Sequence, residues 1–461
     1  VAEYATATAV AEFGMLPAEP DTVAPVTEPA LRGESGGDAY WRNKLTIGRD
    51  GPTPNLSNVL YILRRAPEWH GVFRFNSFAQ RVVVYRQPPY QAGLPTPREI
   101  HDSDLTFTAV WMQDQGLKDV SPEKCQNAIA AVAQDYRYSP LLDYLSVLRH
   151  DSTARIDTWV SDYLGAADTP LNRAIGARFL ISAVARAFEP GCQVDTMPAF
   201  EGPQGMKKST ALRVLFGSEW FTDHIPDLHS KDAALQIQGI WCLEHAEMAT
   251  LNRTDANRVK EFISRRVDRF RPVFGKTTMD HPRQGVFAAT LNPNGSGYLK
   301  DETGARRFWP VACGTAWPAG QRIDVAALAT VRDQLWAEAT VRYRRGEPWW
   351  LDTLELEAAQ IEATEARFDA DVWTDNVAEI VADKPFVRVA EIFDGLHIPV
   401  GDRTKPAQMR IGGILRALGW SRKLQRIDGS VARTFVPPAT TAARAPSKPI
   451  SLRDDLAAFG R

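Results

Sequence analysis

Apolar positions recur at helical spacing through much of the first 190 residues. They predict helices over Asn58–Arg65, Phe107–Gln115, Pro122–Asp135, Pro140–Leu148, Arg155–Leu164 and Leu171–Phe188, the last stopped by Glu189-Pro190-Gly191. Two short runs, Val72–Phe75 and Arg81–Tyr85, predict strands joined across the polar pair Asn76-Ser77. From Met197 to about Ala312 the rhythm changes. Short apolar runs at Met197–Phe200, Ile240–Leu243 and Val286–Leu291 alternate with helical segments, the pattern of a parallel α/β sheet. A charged Glu- and Ala-rich helix is predicted over Leu354–Val372. Residues 374–437 read as helix, short strand, helix, helix and a basic hairpin about Asp428-Gly429.

A chain of 461 residues exceeds one core and divides into several units. Residues 1–37 are rich in Ala, Pro, Thr and Glu and read as a linker or flexible arm, either tethering a further domain or simply an unstructured terminus. The remaining divisions are a mixed, mainly helical N-terminal domain (38–150), an α/β domain with a helical lead-in (151–345), a connector (346–373), a small basic unit (374–437) and a tail (438–461). The order of elements in the small unit resembles a winged helix.

Composition narrows the class. Hydrophobic residues make up 44% and charged residues 24%, the balance of a soluble globular protein, and no apolar run is long enough for a membrane span. Cys125, Cys192, Cys242 and Cys313 lie far apart, with neither metal-ligand spacing nor a disulfide framework, which fits a reducing cytoplasm. A formal net charge of -2 argues against coating nucleic acid with the whole surface and leaves room for a local basic channel.

The strongest chemical signal is Gly202-Pro203-Gln204-Gly205-Met206-Lys207-Lys208-Ser209-Thr210, set between a predicted strand and a predicted helix, Ser209–Phe216. This is the setting of a Walker A loop, whose backbone N–H groups and helix amino end cradle phosphates. Lys208 is then the lysine that reaches the β and γ phosphates of ATP, and Ser209 a ligand to Mg2+. One departure stands out: the usual pattern has Gly before the lysine, and here that residue is Lys207. Either Lys207 adopts a backbone angle that Gly takes more easily, or the loop shifts. Some 30 residues on, the run ending Cys242-Leu243-Glu244-His245-Ala246-Glu247 is an apolar strand closing on carboxylates. Glu244 is the candidate Mg2+ ligand and Glu247 the candidate to orient the attacking water. A third strand ends in Asn292, whose amide can contact the γ-phosphate or its water, or can simply serve the turn Asn-Pro-Asn-Gly.

Between the second and third of these strands, Arg253–Lys276 carries eight Lys or Arg and three Asp or Glu. Arg269, Arg271 and Lys276 interleave with Phe270, Pro272 and Phe274, a combination that can track DNA phosphates and stack on bases. Residues 255–266 read as an ordinary solvated helix. Past the third strand, Arg306 and Arg307 suit an arginine finger, which demands an oligomer if it acts on a neighbour's ATP; the alternative is pairing with Asp301 and Glu302.

Taken together these segments resemble the virulence-associated protein E family, related to superfamily 3 helicases of phages and mobile elements. The matching segments run from about Leu141 to Val311 and include Asp143-Tyr144-Leu145, Phe200-Glu201-Gly202-Pro203-Gln204-Gly205 and Asp301-Glu302-Thr303-Gly304-Ala305-Arg306-Arg307-Phe308-Trp309-Pro310. The resemblance implies an α/β fold with a P-loop core of the AAA+ type and a ring, commonly a hexamer. It further implies ATP-dependent unwinding of DNA, at a fork or along a single strand, in a bacterial host cell, with a primase or polymerase as partner. A DNA-binding ATPase switch or loader without unwinding, or a nucleotide-binding structural ring, would carry the same motifs.

Overall fold

The computed structural model describes residues 40–91, 93–224, 233–246, 253–271, 277–292, 305–365, 367, 373–427 and 430–437. The fold is mixed α/β. Two compact units divide at residue 368, the first ending at Phe368 and the second beginning at Asp369.

The heart of the first unit is a five-stranded, wholly parallel sheet. Its strands are β1 (Met197–Glu201), β2 (Phe221–Thr222), β3 (Cys242–Ala246), β4 (Val286–Leu291) and β5 (Phe308–Ala312). They lie in the order β5-β1-β4-β3-β2. Every residue of β1 and β4 is buried, as expected for strands covered on both faces. Alternate side chains feed two different cores. Phe200, Cys242, Val286, Ala288, Trp309 and Val311 point into the larger one. Met197, Ala199, Leu243, Phe287, Ala289 and Leu291 pack instead with Val259, Phe262 and Ile263 of the helix Arg253–Ser264. The period-two alternation thus produces a three-layer sandwich.

The helices that cover the larger core include α1 (Pro170–Phe188), α2 (Lys208–Phe216) and α3 (Val325–Arg344). Each N-terminus has a local reason. Thr169 caps α1 with Pro170 at its first position, and Asp324 accepts from the Ala326 and Ala327 N–H groups to open α3. The centre of this layer is aromatic, with Trp241 and Trp336 at 4.1 Å and Phe216 at 5.1 Å from both. Trp336 Nε1 donates to Leu215 O at 2.8 Å and Trp241 Nε1 to Ala183 O at 3.0 Å. Both bonds satisfy buried indoles; the first fixes the far end of α2, the helix that follows the Gly202 loop, and the second ties α1 to the sheet side of the layer.

Several elements differ from the sequence expectation. Residues 155–158 are not helical, because the backbone N–H groups of Arg155 and Ile156 donate to the Glu338 carboxylate instead, and the helix starts at Trp159. β3 runs Cys242–Ala246 rather than Ile240–Leu243, which puts Glu244 inside it. β2 is too short, and β5 too interrupted by Pro310, to announce themselves by pattern. The charged helix ends at Glu365.

Ahead of the sheet, helices Leu56–Arg65, Asp102–Asp114 and Pro122–Asp135 pack with short strands on a core around Trp69. Those strands form a four-stranded sheet in the spatial order 98–99, 81–84, 73–76, 137–138. The second unit contains helices Thr374–Val381, Val389–Gly395 and Lys405–Ala417, then the hairpin Ser421–Ile427 with Ser430–Val436. Val387 bridges Phe435, adding a minimal third strand ahead of the second helix.

Candidate functional site

The loop joining β1 to α2 stands at the carboxyl end of the parallel sheet, where doubly wound folds hold their ligands. Gly202 opens it at close quarters: a Cβ there would lie 2.9 Å from Met206 Sδ and 3.2 Å from the Cys313 carbonyl. Lys207 is the N-cap of α2 and sits at φ 70°, ψ 28°, in the left-handed region. Of the two possibilities for this residue, the chain takes the strained backbone. Such a conformer costs an L-residue about 1–2 kcal/mol. The turn aims consecutive lysines apart: the Lys207 side chain is exposed and that of Lys208 is buried.

Lys208 Nζ donates to Gly202 O at 2.7 Å, Pro203 O at 3.1 Å and Asn292 Oδ1 at 2.9 Å. Burial lowers its pKa below the ordinary 10.5, partly opposed by Cys313 and Glu244. On the other side of the loop, Ser209 Oγ donates to Glu244 Oε1 at 2.6 Å, and Thr290 Oγ1 donates to the same oxygen. Glu244 is fully buried, and its second oxygen, Oε2, has no hydrogen-bond partner. A buried carboxyl group with an orphaned oxygen beside a serine hydroxyl is an all-oxygen donor set suited to a hard divalent cation. Four residues from three separated segments therefore converge: Lys208, Ser209, Glu244 and Asn292. Gln204, Gly205 and Thr210 are exposed around them, while Met206 packs inward.

The other expected residues lie elsewhere. Glu247 and Lys276 fall outside the described residues, as do Pro272, Phe274, Asp301 and Glu302. Arg306 and Arg307 precede β5, whose Phe308 lies opposite Met197 and whose Ala312 lies opposite Glu201. They are at the amino edge of the sheet, a strand length or roughly 15 Å from the Gly202 loop of the same chain. Arg307 donates to Ser264 Oγ at 2.9 Å and stands 3.9 Å from Asp195. Arg306 is exposed and makes no hydrogen bond or ion pair among the described residues.

Arg269 lies on the strand Val267–Phe270, which pairs antiparallel with Met279–Pro282, and Arg271 follows it. The hairpin root is fixed by Arg283, which holds Asp268 in a buried two-bond pair at 2.6 and 2.8 Å. Arg269 and Arg271 are exposed. Phe270 is not: it stacks on His281 at 3.9 Å, so it is unavailable to bases, contrary to the interleaved reading of this stretch.

Sequence reading missed two features of the site. Thr290 supplies a second hydroxyl to Glu244, and its only signal was a polar residue in an apolar strand. Glu201, buried immediately before Gly202, is held by Arg367 through Nε and Nη2, the latter at 2.8 Å. The two are 166 residues apart, and nothing local links them.

Residues 145–369 match the model of the virulence-associated protein E-like domain. No curated protein matches the sequence. Three apo structures of the NrS-1 C terminal region are similar to it. One covers 79% of this chain and 95% of its own at 13% identity and a TM-score of 0.45. The others cover 79% of this chain and 96% of theirs, at 11% identity and a TM-score of 0.44, and at 13% and 0.43. No helix among the described residues is long and apolar enough to cross a membrane.

Proposed function

We propose that the chain is an ATP-driven DNA helicase of phage or mobile-element replication, with a P-loop core of the AAA+ type that acts in a ring, in keeping with a hexamer. The observation that carries this reading is the convergence of Lys208, Ser209, Glu244 and Asn292 around one loop at the carboxyl end of a parallel sheet. Lys208 is held by neutral carbonyl acceptors at the loop mouth. An anionic phosphate oxygen is a stronger acceptor and draws the ammonium to itself. Backbone N–H groups at the start of α2 receive the remaining phosphate oxygens. Ser209 and Glu244 would hold Mg2+, which when bound neutralises charge on the β and γ phosphates. Asn292, already in contact with Lys208, is placed to sense the terminal phosphate, and Glu247 is the proposed residue that orients water.

Arg306 is the proposed finger. It is exposed, unpaired among the described residues, and on the sheet edge away from its own loop, so it can complete only a neighbour's site. Arg269, Arg271 and Lys276 on the hairpin are the proposed grip on DNA. The second unit has the helix, strand, helix, helix, hairpin order of a winged helix and is read as the recruiter of duplex DNA or of a primase or polymerase partner. The reading is tested by Mg2+-dependent ATP turnover with and without forked DNA. Wild type should turn over ATP and be stimulated by DNA, and Lys208→Ala should do neither. A wild-type chain that binds and hydrolyses no ATP contradicts it.

A further inference from the structure

An aromatic ladder lies at the surface where α1 and α3 end, remote in sequence from every motif above. Phe188, the last residue of α1, stacks on Tyr343 at 5.6 Å with 22° between the rings. Tyr343 continues to Trp349 at 6.2 Å, and Trp349 meets Trp350 at 5.4 Å and 83°. The ladder is held rigidly from behind. Trp349 Nε1 donates to Gln193 O at 2.8 Å and Tyr343 Oη to Glu189 Oε1 at 2.5 Å. Its outer end is open: among the described residues Trp350 is left 52% exposed.

The charges around it are unequally engaged. Glu347 is taken up by Arg342 and Arg178, Asp352 by Arg178, and Glu189 by the tyrosine hydroxyl. Arg344 and Arg345, by contrast, are exposed and make no ion pair among the described residues; Arg344 lies over the Phe188 ring at 5.6 Å. An exposed ring beside guanidinium groups that make no ion pair among the described residues brings together the two components of single-strand recognition, one for bases and one for phosphates.

The place is also apt. Two residues beyond Glu189, Gly191 is tied to the root of the basic hairpin. Its N–H donates to Arg283 O at 2.8 Å, and Arg266 Nε donates to its carbonyl at 2.7 Å.

We propose that Trp350, Arg344 and Arg345, braced by the half-buried rings of Phe188, Tyr343 and Trp349, form a second nucleic-acid contact, where a base of a single strand stacks on Trp350 while the two arginines hold its phosphates. The inference rests on the nucleic-acid half of the function proposed above and is independent of the ATP half. Its test is therefore made without nucleotide. Anisotropy of a fluorescein-labelled oligo-dT strand with the full chain compares wild type, Trp350→Ala, Trp350→Phe and the double variant Arg344→Gln/Arg345→Gln. Trp350→Ala should weaken binding about tenfold and Trp350→Phe should largely restore it, since a ring face is what matters. The double variant should weaken binding and reduce the logarithmic salt slope by about 1.4, at roughly 0.7 per phosphate contact on a single strand. Melting temperature and DNA-free ATP turnover should stay at wild-type values in all three. Binding within twofold of wild type in both Trp350→Ala and the double variant overturns the proposal, as does a platform that takes a proline-rich peptide and not oligo-dT. A chain that fails to hydrolyse ATP but shows these losses leaves the platform standing and removes only the motor.

Discussion

Lys207 offers a test of the loop in which stability and activity part company. Its left-handed backbone costs about 1–2 kcal/mol, and its side chain is exposed with no cap hydrogen bond to offset that cost. Lys207→Gly removes the strain. Against this, Gly gives the unfolded chain extra freedom worth about 0.4–1 kcal/mol. The net expectation is a gain of roughly 0.5–1 kcal/mol, or about 1–3 °C in melting temperature for a unit of this size. Lys207→Ala keeps the strain and should leave the melting temperature unchanged. Both variants should retain ATP turnover within a few-fold, because the position asks only for the backbone angle. Lys208→Ala, in contrast, removes the ammonium that bonds Gly202, Pro203 and Asn292 and should lower turnover by about 100-fold or more. Scanning fluorimetry and a phosphate-release assay on the four proteins decide the matter. The reasoning fails if Lys207→Gly lowers the melting temperature, or if Lys207→Ala abolishes turnover as completely as Lys208→Ala.

Other outcomes follow from the same geometry. Glu244→Gln keeps the hydroxyl contacts of Ser209 and Thr290 in shape but replaces the carboxyl proposed to hold the metal, so ATP binding in Mg2+ should weaken by about tenfold while binding without Mg2+ stays unchanged; calorimetry with and without Mg2+ checks this. Mixing Arg306→Ala with Lys208→Ala chains should restore partial turnover, since some interfaces would carry both intact halves, while Arg307→Ala should act mainly through stability by freeing Ser264 and Asp195. Burial lowers the pKa of His245 and His281, so the unfolded chain takes up protons near pH 6.5 that the folded chain refuses. Stability should therefore fall as pH drops through and below 6.5, and a His245→Gln variant should show a shallower fall in denaturant titrations.

What the sequence made legible follows from how local each feature is. β4 was readable as Val286–Leu291 to the residue, because burial on both faces leaves an unbroken apolar run. The Gly202 loop was readable because its glycines, lysines and serine are consecutive. Lys207 was the visible anomaly, and the backbone resolves it by strain rather than by shifting the loop. Glu244 was found but misplaced at a strand end, since the apolar run Ile240–Leu243 begins before the ladder does. Three things were out of reach. The Thr290–Glu244 bond, the Arg367–Glu201 pair and the Phe188–Tyr343 stack join residues through the fold, and no periodicity reports a contact between segments that meet only after the sheet has formed. The burial of Phe270 was misread for a related reason. Alternation put every second residue of its strand inward, while composition alone suggested an exposed aromatic among basic groups.

The central claim is that the Gly202–Lys208 loop powers movement on DNA. Its most direct measurement is strand displacement on a forked duplex carrying a quenched fluorophore, with the full chain, Mg2+ and ATP, alongside Lys208→Ala and a non-hydrolysable ATP analogue. The account predicts release of the strand by wild type with ATP only, and none by Lys208→Ala even where DNA binding is unchanged. Displacement that persists in Lys208→Ala or with the analogue, or wild-type hydrolysis of ATP on bound forks with no strand released, would contradict it.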